Sequence, residues 1–257
     1  TPVWNLRAQI KKVDDDNKPL ADASFGIYTD ESCDEDSQIA ELTSGDDGLT
    51  DEFTYEADVT DESITLYCKE TDAPDGYDID EKVYKQTWTY DEYKALGADE
   101  QESGKLKMFG SASGIVNHLP WRVRVNIKKI NKKNEPLAGA QFGVYGDKNC
   151  SPSEFIGTLT TGQNGMSSTI AYAADADATS ITLWCKETKA PQGYLLSKEI
   201  VSLTFTKSEY KTLLAQGSTD GPLKTFSGEG FIDDAITPPT VKIQKKSTAS
   251  DEILKLN

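Results

Sequence analysis

Two glutamates, Glu70 and Glu187, stand where a carboxylate is costly. Ile64, Leu66, Cys68 and Glu70 share one parity, as do Ile181, Leu183, Cys185 and Glu187. Successive side chains on a strand point to opposite faces, so a core that takes the isoleucine and leucine takes the glutamate too. A buried carboxylate must be paired or held neutral. Partners sit on the same alternation. Lys12 shares the parity of Leu6, Ala8 and Ile10, and Lys129 that of Val123, Val125 and Ile127. Lys11 and Lys128 stand next to them and leave the reactive lysine open by one position. Towards the end of each half, Ile115, Asn117 and Leu119 share a face, matched by Ile232, Asp234 and Ile236, with Asp233 competing for the place of Asp234.

A lysine, a glutamate and an amide or acid on apolar rows have a definite chemistry. Burial pushes a lysine towards its nucleophilic amine and a carboxyl towards its protonated form. The amine can attack the neighbouring carboxamide or carboxylic acid while the glutamate polarises the carbonyl and passes the proton to the leaving group. The product is an amide crosslink: Lys12 to Asn117 with loss of ammonia, Lys129 to Asp234 with loss of water. The plainer alternative is a buried, hydrogen-bonded ionic cluster with no covalent step.

The elements that must position these residues occur twice. Shifting the chain by 117 residues superposes Trp4 on Trp121, Lys12 on Lys129, Cys33 on Cys150, Cys68 on Cys185 and Glu70 on Glu187 without a gap, and 12 of the 15 positions from Ser63 to Tyr77 are identical in the second copy. A repeat of this length can bury its own core, so it reads as a domain rather than a solenoid unit. The expected domains are 1–118 and 119–237. Residues 238–257 read as a linker and the truncated start of a further repeat, because Val241-Lys242-Ile243 echoes Val125-Asn126-Ile127. Short alternating runs broken by Gly and Pro predict an all-β fold, two tandem antiparallel β-sandwiches. The boxes Thr89-Tyr90-Asp91-Glu92 and Thr206-Lys207-Ser208-Glu209 predict one short helix in each, ending near Gly97 and Gly217.

Composition narrows the function. Across 257 residues the formal net charge is −16, which argues against nucleic acid and anionic membrane surfaces. No apolar run approaches the ~20 residues of a membrane span. Thr1 opens no signal peptide, so the chain reads as mature or as an excised fragment. The cysteines fall one pair per repeat, Cys33 with Cys68 and Cys150 with Cys185, which favours one disulfide per domain and an exported protein. Free buried thiols are the alternative. Zinc would want more ligands than the lone His118, which reads as a linker residue, and the acidic turn Asp14–Asn17 reads as solvated rather than calcium-binding. No metal or cofactor is expected. Trp4 and Trp121 read as packing at the domain edge.

The stretch Ile10-Lys11-Lys12 followed by Pro19-Leu20-Ala21-Asp22-Ala23-Ser24-Phe25, with its copy from Ile127 to Phe142, resembles the opening of a Cna B-type (SpaA-like, prealbumin-like) domain. Glu70-Thr71-Asp72-Ala73-Pro74-Asp75-Gly76-Tyr77 and Glu187 to Tyr194 are similar to the E-box of that family. The resemblance covers both repeats. It implies a self-catalysed isopeptide bond in each, from Lys12 to Asn117 assisted by Glu70 and from Lys129 to Asp234 assisted by Glu187. It also implies a place on Gram-positive pilins and surface adhesins. Asp22 departs from the glycine of the family turn, internal disulfides are not a usual mark of the family, and neither an LPxTG signal nor a Tyr-Pro-Lys pilin motif is present.

The expected function is a rigid extracellular stalk of a wall-anchored bacterial protein, with further repeats of the parent chain as partners. A bond between first and last strands would close the load path, so pulling on the termini could not peel the sheet. The alternative is an adhesin module that grips a host protein or glycan through loops such as Asp34–Ala40 and Ser151–Gly157. An enzyme acting on an external substrate lacks any supporting constellation.

Overall fold

The computed structural model describes residues 2–237 and two short strands, Lys245–Lys246 and Ile253–Leu254, paired antiparallel. The expected start of a further repeat otherwise lies outside the described residues. Chain packing gives two compact units. The first runs to Arg122 and takes in Ala173–Thr179, while the second holds Val123–Tyr172 and continues from Ser180.

In chain order the first unit contains β1 (Val3–Gln9), β2 (Lys12–Val13), β3 (Ser24–Tyr28), β4 (Gln38–Thr43), β5 (Phe53–Asp58), β6 (Ser63–Asp72), β7 (Val83–Thr89), α1 (Tyr90–Lys94), α2 (Ala98–Ser103), β8 (Lys105–Met108) and β9 (Ile115–Val116). One sheet has the order β4-β3-β6-β7 and another β5-β1-β8, with β2 and β9 paired beside them. Trp4, Leu6, Ala8 and Ile10 from the opening strand meet Phe25, Ile27, Leu66, Cys68 and Trp88 in a single buried cluster. The alternation in sequence therefore becomes the core by the period-2 rule of strands.

The second repeat builds β10 (Trp121–Asn131), β11 (Gln141–Tyr145), β12 (Phe155–Thr160), β13 (Ile170–Ala174), β14 (Ser180–Lys189), β15 (Ile200–Thr206), α3 (Lys207–Ala215) and β16 (Leu223–Asp233). Its sheets, β12-β11-β14-β15 and β13-β10-β16, repeat the first plan. The segments Asp34–Ala40 and Ser151–Gly157 both begin with a 3-10 turn that leads into a strand, so the two loops share one construction.

Both sandwiches are all-β, but their first and last strands run parallel. Leu6 faces Lys105, Lys12 faces Ile115 and Lys129 faces Phe231 in parallel register, while the other strand pairs are antiparallel. The capping boxes form as expected. Thr89 Oγ1 accepts from Glu92 N at 3.2 Å and Glu92 Oε2 accepts from Thr89 N at 2.9 Å, and Thr206 and Glu209 do the same. Where one helix follows in the second repeat, the first has two. The break falls at Gly97, which becomes the N-cap of α2.

Candidate functional site

Alternation on β6 buries Leu66, Cys68 and then Glu70. Lys12 starts β2 with its side chain inward, and Lys11 is only half-buried. Asn117 follows β9 and is anchored by its backbone N–H, which donates to Val13 O at 3.0 Å. Lys12 is 0%, Glu70 2% and Asn117 1% exposed, so all three are out of water. Lys12 Nζ lies 3.1 Å from Glu70 Oε1. The other oxygen, Glu70 Oε2, accepts from Asn117 Nδ2 at 2.8 Å and from Asp80 N at 2.6 Å, and Asn117 Nδ2 also donates to Asp78 O at 2.7 Å. Lys12 Nζ, Glu70 Oε1 and Asn117 Oδ1 make no hydrogen bond of good geometry. Three buried, underused polar atoms are a costly arrangement for a cluster that only stabilises the fold.

Electrostatics points the same way. Burial lowers the pKa of Lys12, and the opposing pull of the Glu70 carboxylate does not cancel it. The lysine is thereby moved towards the free amine that a nucleophile requires. The peptide around it is held by a close approach: a Cβ on Gly48, at φ +76, would sit 2.4 Å from Lys12 O, and on Gly165 2.5 Å from Lys129 O. Only glycine lets the turn press on the lysine strand there.

The second site is built alike with one correction. Lys129 is 0%, Glu187 4% and Asp233 3% exposed, and Lys129 Nζ lies 2.8 Å from Asp233 Oδ1. Asp234, expected at the lysine, instead points outward and pairs with Lys132. The expected inward row Ile232, Asp234, Ile236 is exposed, and Phe231 and Asp233 face the core. The cause is a one-residue deletion. Five residues, Gly110 to Gly114, separate Phe109 from Ile115, and four, Ser227 to Gly230, separate Phe226 from Phe231. Past that loop the correspondence is Asn117 to Asp233. Aligning Gly114 with Gly230 is the signal that an ungapped shift passes over.

In this site the resolved shift falls on a carboxyl group. Burial, reinforced by the charge of Asp233 and opposed by the Ser197 amide at 2.9 Å, raises the pKa of Glu187 to about 7. Glu187 is thus predisposed to hold a proton beside the buried lysine. Lys129 Nζ also donates to Phe231 O at 3.0 Å and lies 4.9 Å from the Phe231 ring centroid.

The expected disulfides are not formed, and the four cysteines are free thiols. Cys68 is buried directly opposite Ile27 on β3, whereas Cys33 sits in the turn beyond that strand at φ +51. Burial raises the pKa of Cys68, and the nearby Cys33 raises it further; Cys185 and Cys150 behave alike. His118, read as a linker, has a partner: its Nδ1 lies 2.6 Å from Asp15 Oδ1. Trp4 is buried and donates to Asp58 O, as Trp121 does to Asp175 O. Among the described residues no cluster of three metal-ligating side chains occurs, and no helix is long and apolar enough to cross a membrane.

Paired β-sandwiches whose parallel first and last strands bring a lysine, a glutamate and an amide or acid together define a prealbumin-like class of domain. The chain belongs to the SpaA prealbumin-like fold domain family, which it matches over residues 7–99 and 123–218. It is 27% identical over 121 residues to the trypsin-resistant surface T6 protein of Streptococcus pyogenes serotype M6, an alignment covering 47% of this chain and 20% of that protein. Among solved structures it is similar to the Bacillus anthracis TIE protein, with 17% identity, 91% of this chain and 34% of that one covered, and a TM-score of 0.35. It is also similar to GBS52, the minor pilin of Streptococcus agalactiae, with 12% identity, 93% and 99% covered, and a TM-score of 0.34. The chain thus spans a fifth of the T6 protein and about a third of the TIE chain.

Proposed function

We propose that the chain is a stalk segment of a bacterial surface adhesin or pilin, made of two modules, 1–118 and 119–237, each locked by an isopeptide bond that it forms itself. The bonds run from Lys12 to Asn117 and from Lys129 to Asp233, with Glu70 and Glu187 as the proton-handling groups. Further repeats of the parent chain are the expected partners, and the parent is an extracellular protein attached to the cell wall. One observation carries the reading: in both units a fully buried lysine meets a buried glutamate or its carboxyl partner within 3.1 Å.

In the first module the Lys12 ammonium gives a proton to Glu70, and the amine attacks Asn117 Cγ. Glu70 already holds the Asn117 Nδ2 that must leave, so it returns the proton there. The new N–C bond replaces the old C–N bond, ammonia departs, and the extra proton on the new amide nitrogen passes to Glu70. In the second module Lys129 passes one ammonium proton to the Asp233 carboxylate and attacks its Cγ as the amine; the protonated Glu187 gives its proton to the departing hydroxyl, which leaves as water, and takes one back from the attacking nitrogen.

Intact mass under reducing conditions tests the crosslinks. Two bonds lower the mass by about 35 Da, one ammonia and one water. Glu70→Ala and Glu187→Ala each restore one increment. Asp233→Ala also restores the second, and Asp234→Ala keeps it at completion. A parent chain of full mass overturns the reading.

A further inference from the structure

Directly after each proposed bonding residue, the chain is tied down at the same place by two different acid–base pairs. In the first unit His118 Nδ1 lies 2.6 Å from Asp15 Oδ1, and Asp15 Oδ2 accepts from Leu119 N at 3.3 Å. In the second, Lys132 Nζ lies 2.5 Å from Asp234 Oδ1. Asp15 corresponds to Lys132 at the 117-residue shift, and past the one-residue deletion His118 corresponds to Asp234. Acid and base have exchanged places while the geometry stays.

The backbone under the two pairs is identical in plan. His118 O accepts from Asp78 N at 3.1 Å, and Asp234 O accepts from Leu195 N, its repeat equivalent, at 2.9 Å. Asp78 O in turn holds Asn117 Nδ2 at 2.7 Å. The ion pair, the strand end and the reacting carboxamide are therefore connected in series. In the second unit a cleft of about 270 Å³, lined by Lys132, Tyr194, Asp233 and Ala235 among others, opens beside the pair. The strand end that carries Asp233 thus borders solvent at this point.

We propose that Asp15 with His118, and Lys132 with Asp234, form a clasp with its acid and base exchanged between the repeats, which positions Asn117 and Asp233 for attack by the buried lysine. The clasp residues touch no reacting atom; they fix the strand end that does. Two unrelated surface pairs would have no reason to keep one acid and one base at corresponding positions while exchanging them. Isolated exposed pairs contribute little to stability, which leaves register rather than bulk stability as the benefit. Positioning errors well below a residue's width are costly to a bond-forming step. The inference rests on the crosslinking reading above.

The test follows bond formation in the full chain made by cell-free synthesis, sampled over time by intact mass and peptide mapping. Lys132→Asp and Asp234→Lys each set like charges face to face, and the double variant restores an opposite pair in reversed order. Each single change should slow the Lys129–Asp233 bond about three- to ten-fold, and the double variant should return it to within about two-fold of the parent. The Lys12–Asn117 bond should keep its rate. Melting of the same variants in a Glu187→Ala background, where no second bond forms, separates positioning from stability. Slowed bonding with unchanged melting supports the clasp. Singles that bond at the parent rate, a double as slow as the singles, or a melting loss that accounts for the slowing overturns it. A parent chain of full mass overturns both readings at once, whereas bonding indifferent to the swap overturns the clasp alone.

Discussion

At the scale of single residues, the two sites would reach the proposed crosslink from opposite ends. Burial prepares the nucleophile in the first, where the pKa of Lys12 is lowered, and the acid in the second, where that of Glu187 is raised to about 7. Their pH responses should therefore differ. Glu187 loses its proton as pH rises through about 7, so the Lys129–Asp233 bond should form more slowly above that point. Lys12 gains free amine as pH rises, so its bond should form faster. Peptide mapping of freshly made chain between pH 5.5 and 8.5 checks both signs. Linkage adds a second sign: in folded chain that has not yet bonded, the raised Glu187 binds its proton more tightly than the unfolded chain does. That contribution to stability is present below the unfolded value and is lost as pH rises through about 7. Strand alternation was enough to point to Glu70, Asn117 and Glu187 and to narrow each lysine to a neighbouring pair, Lys11 or Lys12 and Lys128 or Lys129, because a period of two leaves an inward polar residue conspicuous among apolar neighbours. It was not enough for Asp233. A deletion inside a glycine loop leaves no mark on periodicity, yet it turns every later side chain to the opposite face.

At the scale of elements, the turn before β3 carries a residue that its backbone disfavours. Asp22 sits at φ +64, where the second repeat has Gly139 at φ +81. Left-handed backbone is costly for a residue with a Cβ, though aspartate bears it better than most. Asp22→Gly should raise the stability of the first module by about 0.5–1 kcal/mol, read from denaturant midpoints in a Glu70→Ala background where no bond masks the difference. The capping boxes were legible because their chemistry is local, four residues long and stated in side-chain types. Helix α2 was not: Ala98-Asp99-Glu100-Gln101-Glu102-Ser103 has no apolar period and no side-chain cap, and Gln101 secures it through carbonyls of the preceding turn. The parallel pairing of first and last strands was equally hidden, since strand order depends on distant contacts that alternation does not encode.

At the scale of the whole molecule, each bond would span 105 residues in the first module (117 − 12) and 104 in the second (233 − 129). Closing a loop of this size removes about 4–5 kcal/mol of unfolded-chain entropy on the polymer model. Its mechanical effect is larger. Pulled by its ends, the parent chain should yield little length from either module, and Glu70→Ala should release about 350 Å when the first one opens. Single-molecule extension reads that step directly, and an equal step in the parent would remove the mechanical role. The acidic composition argued against nucleic acid and anionic membranes at this scale without identifying any partner, because net charge reports on solubility and encounter rather than on architecture.

The side-by-side course of the first and last strands has one more consequence. Once Lys12 and Asn117 are joined, nearly the whole module is a ring, with its exposed turns lying inside the closed circuit. A ring that is cut once stays in one piece. A surface protease that nicks any single turn between those residues would leave the module covalently continuous, so two independent cuts would be needed to detach a fragment.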